Sequence, residues 1–285
     1  MQKMSNEVVA VIGGSSGIGK ESAKLFAKLG ARVILIARGE NRLQSTAEEI
    51  KGLGGTVEVI AADVSSPWKV KEAAGWIEKN HGRLDAMIFS AAVFYLSPVE
   101  TMELSLAKQS MDINYWGAVH VTQSFLPLIR KGNRKSLVYL SSLSAQCTPP
   151  FFTAYAATKH ALRGFVLSLR QELQPEGIHV GMVSPGPINT PLIENDIHQD
   201  MYRLPKGIPV LRPEDAARGV VKAVLKQKKD LVIPWGLSLA AKLSAAFPSM
   251  VEMYYRLSIP GWNAHILSRT KGARENWQQD AEARS

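Results

Sequence analysis

"EVVAVIGGSSGIGKESAKLF" occupies residues 7–26. Its first part, 7–12, is apolar and rich in valine with no polar alternation, as in a strand covered on both faces of a parallel sheet. Glycines follow at 13, 14, 17 and 19, and a helix-period segment begins there. Glycine allows a tight turn and lets the backbone approach a pyrophosphate, which then lies on the free N–H groups of a helix N-terminus. Gly13, Ser15, Ser16, Gly17, Ile18 and Gly19 are therefore the first candidate cofactor contacts. The competing reading is a plain glycine-rich turn. A strand before it, a helix after it and its place at the head of an alternating chain favour the phosphate loop.

The alternation continues outward from that loop. Strand-like runs recur at 31–37, 56–62, 84–90, 136–142, 178–184 and 230–234, separated by helix-period segments near 17–29, 41–53, 68–80, 105–131, 153–174 and 213–227. Such alternation predicts an α/β fold, a doubly wound parallel sheet of about seven strands with helices on both faces. It fits one domain over residues 1–235. Residues 236–285 differ: Leu239, Leu243 and Ala246 before Pro248, and Met250, Met253, Tyr254 and Leu257 after it, predict two short amphipathic helices broken at the proline. The polar stretch 270–285 is expected to fray.

Composition narrows the function classes. One cysteine, Cys147, excludes an internal disulfide, and six scattered histidines give no metal-site spacing. No secretory start precedes the first strand, so a reducing, cytoplasmic setting is the expectation. The net charge of +9 is concentrated late, with 14 Lys and Arg against 8 Asp and Glu in residues 200–285. That excess suits a solvated face or an anionic membrane surface; no nucleic-acid motif accompanies it. The uncharged runs of the tail, 231–241 and 243–251, are too short to span a bilayer.

The end of the second strand discriminates between cofactors. An acidic residue there would hold the adenosine ribose hydroxyls, but the chain reads "LIARGE", with Ala37 in that place and Arg38 next. An arginine suits a ribose 2′-phosphate through charge-assisted hydrogen bonds, which points to NADP(H) over NAD(H). Ser15 and Lys20 are further candidates for that phosphate. Asp63, in "AADVSS", reads either as an adenine contact or as the cap of the next turn.

Four polar residues gather where strands end and helices begin: Asn114 within the helix-period segment 105–131, Ser142 at the end of the fifth strand, and Tyr155 and Lys159 four residues apart on one helix face. Asparagine is a poor helix former, so Asn114 needs a reason to be there. With "GGSSGIG", "ADV", "IN", "YLSS", "YAATK" and "SPGPINT" in this order, the chain resembles the short-chain dehydrogenase/reductase family over residues 6–235. The resemblance implies a Rossmann-like fold and hydride transfer between a nicotinamide cofactor and a small-molecule carbonyl or alcohol. It also implies a homodimer or homotetramer built on the segments 105–131 and 153–174.

Carried over residue by residue, the resemblance makes Tyr155 the general acid, with a pKa lowered by Lys159 and by the nicotinium charge. Lys159 would also hold the nicotinamide ribose, Ser142 the substrate oxygen, and Asn114 a water leading to Lys159. Val64, Ser90, Ala91, Ala92, Pro185, Gly186, Ile188 and Thr190 would join Tyr155 and Lys159 along the cofactor. Two positions depart from the pattern: Ile12 stands for the usual threonine, and Ser90-Ala91-Ala92 for Asn-Ala-Gly. The lost threonine and asparagine support each other in the family, so their joint loss reads as a compensated pair.

The substrate is less legible. Phe94, Tyr95, Leu143, Phe151, Phe152 and the segment 191–207 are candidate walls of a hydrophobic pocket, against a bland alternative of core and subunit packing. Within the family, "ARGENRLQSTAEEI" resembles 3-ketodihydrosphingosine reductases, with hydroxysteroid and 3-oxoacyl reductases close competitors. The amphipathic tail is read either as a peripheral membrane contact or as a segment folded over the cleft or a partner subunit. The rival class is an idle NADP(H)-binding sensor or scaffold of the same fold. Such a protein has no need of Asn114, Ser142, Tyr155 and Lys159 together.

Overall fold

A computed structural model describes residues 3–189, 208–259 and 261–283. The apolar runs become seven strands: β1 Val8–Ile12, β2 Arg32–Ala37, β3 Thr56–Ala61, β4 Ala86–Phe89, β5 Ser136–Leu140, β6 His179–Pro185 and β7 Asp230–Ile233. All pair in parallel, in the order β3-β2-β1-β4-β5-β6-β7. Between them run α1 Gly17–Lys28, α2 Glu40–Gly52, α3 Pro67–His81, α4 Leu104–Met111, α5 Gly117–Arg130, α6 Thr153–Leu173 and α7 Pro213–Leu225.

Side chains alternate across each strand, so the sheet carries two apolar layers. Val8, Ala10 and Ile12 face a layer filled from α3, α5 and α6. Val9 and Val11 face the other, filled from α1, α2 and α7. The strand order reverses between β1 and β4, which leaves a crevice beyond their carboxyl ends, the usual ligand position in such sheets.

The predicted helix 105–131 is not uniform. Residues Asp112–Trp116 form one wide π turn between α4 and α5, and Asn114 sits in it. Turns of this kind occur largely at functional sites. Past β7 the two tail helices form as expected: α8 Ser238–Ala246 and α9 Pro248–Ser258, with Pro248 in the first turn of α9, where its missing N–H costs nothing. The expected frayed tail is a correction: α10 runs Trp262–Ala283, a third helix whose alanine, glutamate, glutamine and arginine content favours helix without an apolar stripe. Among the described residues no helix is long and apolar enough to cross a membrane.

Candidate active site

A cleft of about 550 Å³ opens along the carboxyl ends of the strands. At one end lies the glycine loop. Gly13 has φ +81°, and a Cβ there would stand 2.6 Å from the Ala91 backbone nitrogen, so only glycine fits. A Cβ on Gly19 would collide with the Gly13 carbonyl, which is why Gly19 supports the loop from behind while Gly13, Ser15, Ser16, Gly17 and Ile18 line the cleft. The first turn of α1 has no side-chain cap and no acidic residue. Its free N–H groups therefore point a partial positive charge at the cleft, a donor set that fits a pyrophosphate.

Arg38 lines the cleft at the end of β2 and is 52% exposed, with a loose 3.9 Å approach to Asp63. Asp63 itself does not line the cleft. Its carboxylate accepts from the Ser65 backbone (2.9 Å) and hydroxyl (2.7 Å), so the turn-capping reading accounts for it, while its neighbour Val64 does line the cleft. Lys20 is likewise committed elsewhere, in a 2.6 Å ion pair with Glu49. The sequence reading missed Arg42, which lines the cleft beside Arg38 and lies over Gly39. Its spacing of four from Arg38 at a helix start was the available signal.

Ser90, Ala91 and Ala92 line the middle of the cleft, with Pro185, Gly186 and Ile188 opposite. Ile12 is packed in the apolar layer, and the Ser90 backbone donates to its carbonyl at 2.8 Å. The two departures from the family pattern thus leave the β1–β4 contact closed by backbone. Thr190 and residues 191–207 lie outside the described residues.

At the far end stand Ser142, Tyr155 and Lys159. Ser142 stands beside Tyr155 in the cleft and acts on its phenol, and the Ser142 hydroxyl oxygen accepts the Ser144 N–H at 3.1 Å. Phe94 packs edge-on against the Tyr155 ring at 4.7 Å and Phe152 at 6.2 Å. These rings exclude water, and burial pushes the Tyr155 phenol up to about 12, against a smaller lowering by Ser142. Lys159 is 2% exposed. Its ammonium lies 5.6 Å from the centre of the Tyr155 ring and donates to the Leu140 carbonyl at 3.1 Å. Burial brings it down to about 8.

The expected lowering of Tyr155 by Lys159 is therefore reversed in the protein alone. Desolvation of both groups outweighs an ammonium placed beside the ring. Giving up the Tyr155 proton would create a phenolate next to that ammonium, so the two costs fall together when both groups are charged.

Asn114 does not line the cleft. Its Oδ1 accepts the Val93 N–H at 2.8 Å, and its Nδ2 donates to the Val93 carbonyl at 2.9 Å and to Thr158 Oγ1 at 3.0 Å. It ties the loop after β4 to α6 one residue from Lys159, a reason for asparagine inside a helix. Of the proposed pocket walls, Phe94, Leu143 and Phe152 line the cleft. Phe151 does not; it is buried in the turn before α6, with φ +68° and its carbonyl accepting from Ser97. Tyr95 turns away and donates to Gln109 Oε1. Leu96, Cys147, Pro149 and, from α9, Tyr255 complete the apolar wall. No short-range pattern could have shown that Tyr255 belongs there.

Lys159 carries a stability prediction. Its folded pKa lies below the ordinary lysine value of 10.5, so the unfolded chain binds the extra proton between about 8 and 10.5. Stability of the cofactor-free protein then rises with pH across that window and is lowest below it. Lys159→Met, which keeps the stem and removes the charge, is expected to raise Tm at neutral pH by about 2–6 °C and to flatten this rise, while activity is lost. Calorimetry across the window checks both.

An uncapped helix start behind a glycine loop, an exposed arginine at the end of β2 and a tyrosine–lysine–serine group thus share one crevice. The sequence profile of the short chain dehydrogenases matches residues 7–200. The chain is 34% identical over 265 residues to the zebrafish (Danio rerio) dehydrogenase/reductase SDR family member 7B, covering 89% of this chain and 85% of that one. It is 33% identical to 11-beta-hydroxysteroid dehydrogenase A of Sesamum indicum, covering 90% and 76%. A dehydrogenase/reductase structure from Sinorhizobium meliloti superposes with a TM-score of 0.73 at 26% identity, covering 81% and 94%. The chain belongs to the short-chain dehydrogenase/reductase family and is an oxidoreductase acting on CH–OH groups or the corresponding carbonyls. Members of that family use a nicotinamide dinucleotide and bind small-molecule substrates. The hydroxysteroid resemblance has its relative here in the Sesamum indicum protein.

Proposed function

We propose that the protein is an NADPH-dependent reductase of a hydrophobic, lipid-like or steroid-like ketone, with Tyr155 as the general acid. The observation that carries this is one juxtaposition. Tyr155, dried by Phe94 and Phe152 and standing beside Ser142, closes an apolar-walled cleft whose other end is the glycine loop with Arg38. The cofactor supplies the hydride when bound. Ser142 orients the carbonyl oxygen and stabilises the charge that develops on it. Tyr155 holds its proton through the neutral range and releases it to that oxygen, leaving a phenolate beside Lys159. Lys159 is charged below about pH 8 and offsets the phenolate. Asn114 keeps α6 and the loop after β4 in register. Arg38, with Arg42, would hold a ribose 2′-phosphate, and no carboxylate at Ala37 competes for it.

This reading includes a homodimer or homotetramer formed through α4, α5 and α6. Leu104 of α4 and Trp116 of the π turn are exposed, and a Cβ on Gly164 of α6 would meet nothing within 4 Å, which leaves room for a close partner. It further places the enzyme in the cytoplasm with peripheral membrane contact through residues 236–285, supported by the basic, amphipathic character of that segment. The experiment is a ketone panel with NADPH: long-chain 3-keto bases, 3-oxoacyl thioesters, ketosteroids and small aldehydes. A preference of about tenfold or more in kcat/KM for the long or polycyclic ketones is expected, since each buried methylene adds ~0.8 kcal/mol. A preference for small aldehydes would overturn the substrate class.

A further inference from the structure

Helix α9 is turned inside out relative to an ordinary surface helix. Apolar residues at 250, 253, 254 and 257 recur at the spacing that normally faces a core, yet Met250, Met253, Tyr254 and Leu257 are all exposed, Leu257 by 78%. The residues that face inward are Tyr255, which lines the cleft, and Ile259. Leu239 and Leu243 of α8 and Phe247 between the helices extend the outward stripe. Water-facing stripes of this size are rare on monomers and mark an interaction surface.

The inner side shows that these helices are docked, not loose. Ser244 is buried, donates to the Gln146 carbonyl at 2.9 Å and accepts from the Cys147 thiol at 3.0 Å. Gln146 and Cys147 follow Ser142 in the loop that closes the cleft, so α8 is fastened to the substrate end of the site.

Charge identifies what covers the stripe. From Trp235 to Gly272 the chain has Lys242, Arg256, Arg269 and Lys271 against a single acid, Glu252. Lys242 and Arg256 are exposed beside the stripe and pair with no acid among the described residues. A second copy seated on this face by two-fold symmetry would bring the same cations together, which costs binding. An anionic bilayer accepts the apolar side chains in its interface and attracts the cations.

We infer that the outer face of α8 and α9 rests on an anionic lipid surface, and that the ketone passes from that surface into the cleft along α9, under Tyr255. The inference rests on the hydrophobic-ketone reading above and adds the source of the substrate. It is tested with the full chain and vesicles of phosphatidylserine mixed with phosphatidylcholine, or of phosphatidylcholine alone. Sedimentation at low salt should recover the protein with the anionic vesicles and not with the neutral ones, with release at high salt. Met253→Glu with Leu257→Glu should cut vesicle binding by at least about tenfold. It should lower reduction of a long-chain alkanone held in the vesicles in proportion, and leave the rate with the same alkanone in detergent micelles within about twofold. Lys242→Glu with Arg256→Glu should abolish the preference for anionic vesicles. Absence of binding to anionic vesicles at low salt overturns the lipid surface whatever the enzyme reduces. So does a glutamate variant that turns from dimer to monomer with vesicle binding intact, because the stripe is then a subunit contact. Full reduction of the vesicle-held alkanone by the unbound glutamate variant overturns the entry route. Vesicle binding by a protein that reduces no ketone in either form overturns the reductase reading and the entry route, and is distinguished from the other failures by the intact binding.

Discussion

Tyr155→Phe is expected to lower kcat for ketone reduction by about 10²–10⁴-fold with the Kd for NADPH changed by less than about twofold. The substitution removes one oxygen and leaves the ring, so the packing with Phe94 and Phe152 and the fold of α6 persist. Ser142 keeps the Ser144 N–H, so the remaining defect is the missing proton. Single-turnover measurements with saturating NADPH separate the two quantities. A variant that retains turnover would show that another group delivers the proton. A variant that loses cofactor affinity in parallel would show that Tyr155 acts mainly in binding.

The second large effect is expected at Arg38. Arg38→Ala should raise the KM for NADPH by about 10–100-fold while the KM for NADH moves by less than about threefold. A hydrogen bond between charged groups is worth about 1.5–3 kcal/mol, and only one of the two cofactors carries the phosphate that makes it. Arg38 is free to engage, since its only acidic neighbour among the described residues is Asp63 at 3.9 Å. Arg42 stands beside it in the cleft, so Arg38→Ala with Arg42→Ala should equalise the two cofactors more fully than either change alone. Equal rises for both cofactors would refute the 2′-phosphate assignment and leave Arg38 as a solvated end of β2.

Elements set by residues near one another in the chain are legible because their geometry is local. The period of the apolar runs sets strand or helix, so the seven strands and the helices between them follow from spacing alone. Gly13 and Gly19 announce a tight turn because no other residue fits it. Tyr155 and Lys159 must share a helix face at a spacing of four. The partner that a polar side chain selects is not local in this way. Lys20 was free to reach a phosphate or Glu49, and only packing of α1 on α2 selects Glu49. Phe151 and Phe152 are adjacent, yet a positive φ at Phe151 sends one away from the cleft and the other into it.

The sequence by itself determined the class of fold, the place of the glycine loop, the tyrosine, lysine and serine, and the basic amphipathic tail. Each rests on local spacing or on residue chemistry that holds in any environment. Only the tertiary structure decided the environments. It buried Tyr155 among aromatic rings and raised its pKa where a neighbouring lysine alone would lower it. It spent Asn114 on Val93 and Thr158, and it swung α9 back so that Tyr255 reaches a cleft begun at residue 13. Desolvation and long-range contact depend on what the whole chain brings near a group, and no short stretch of sequence carries that information.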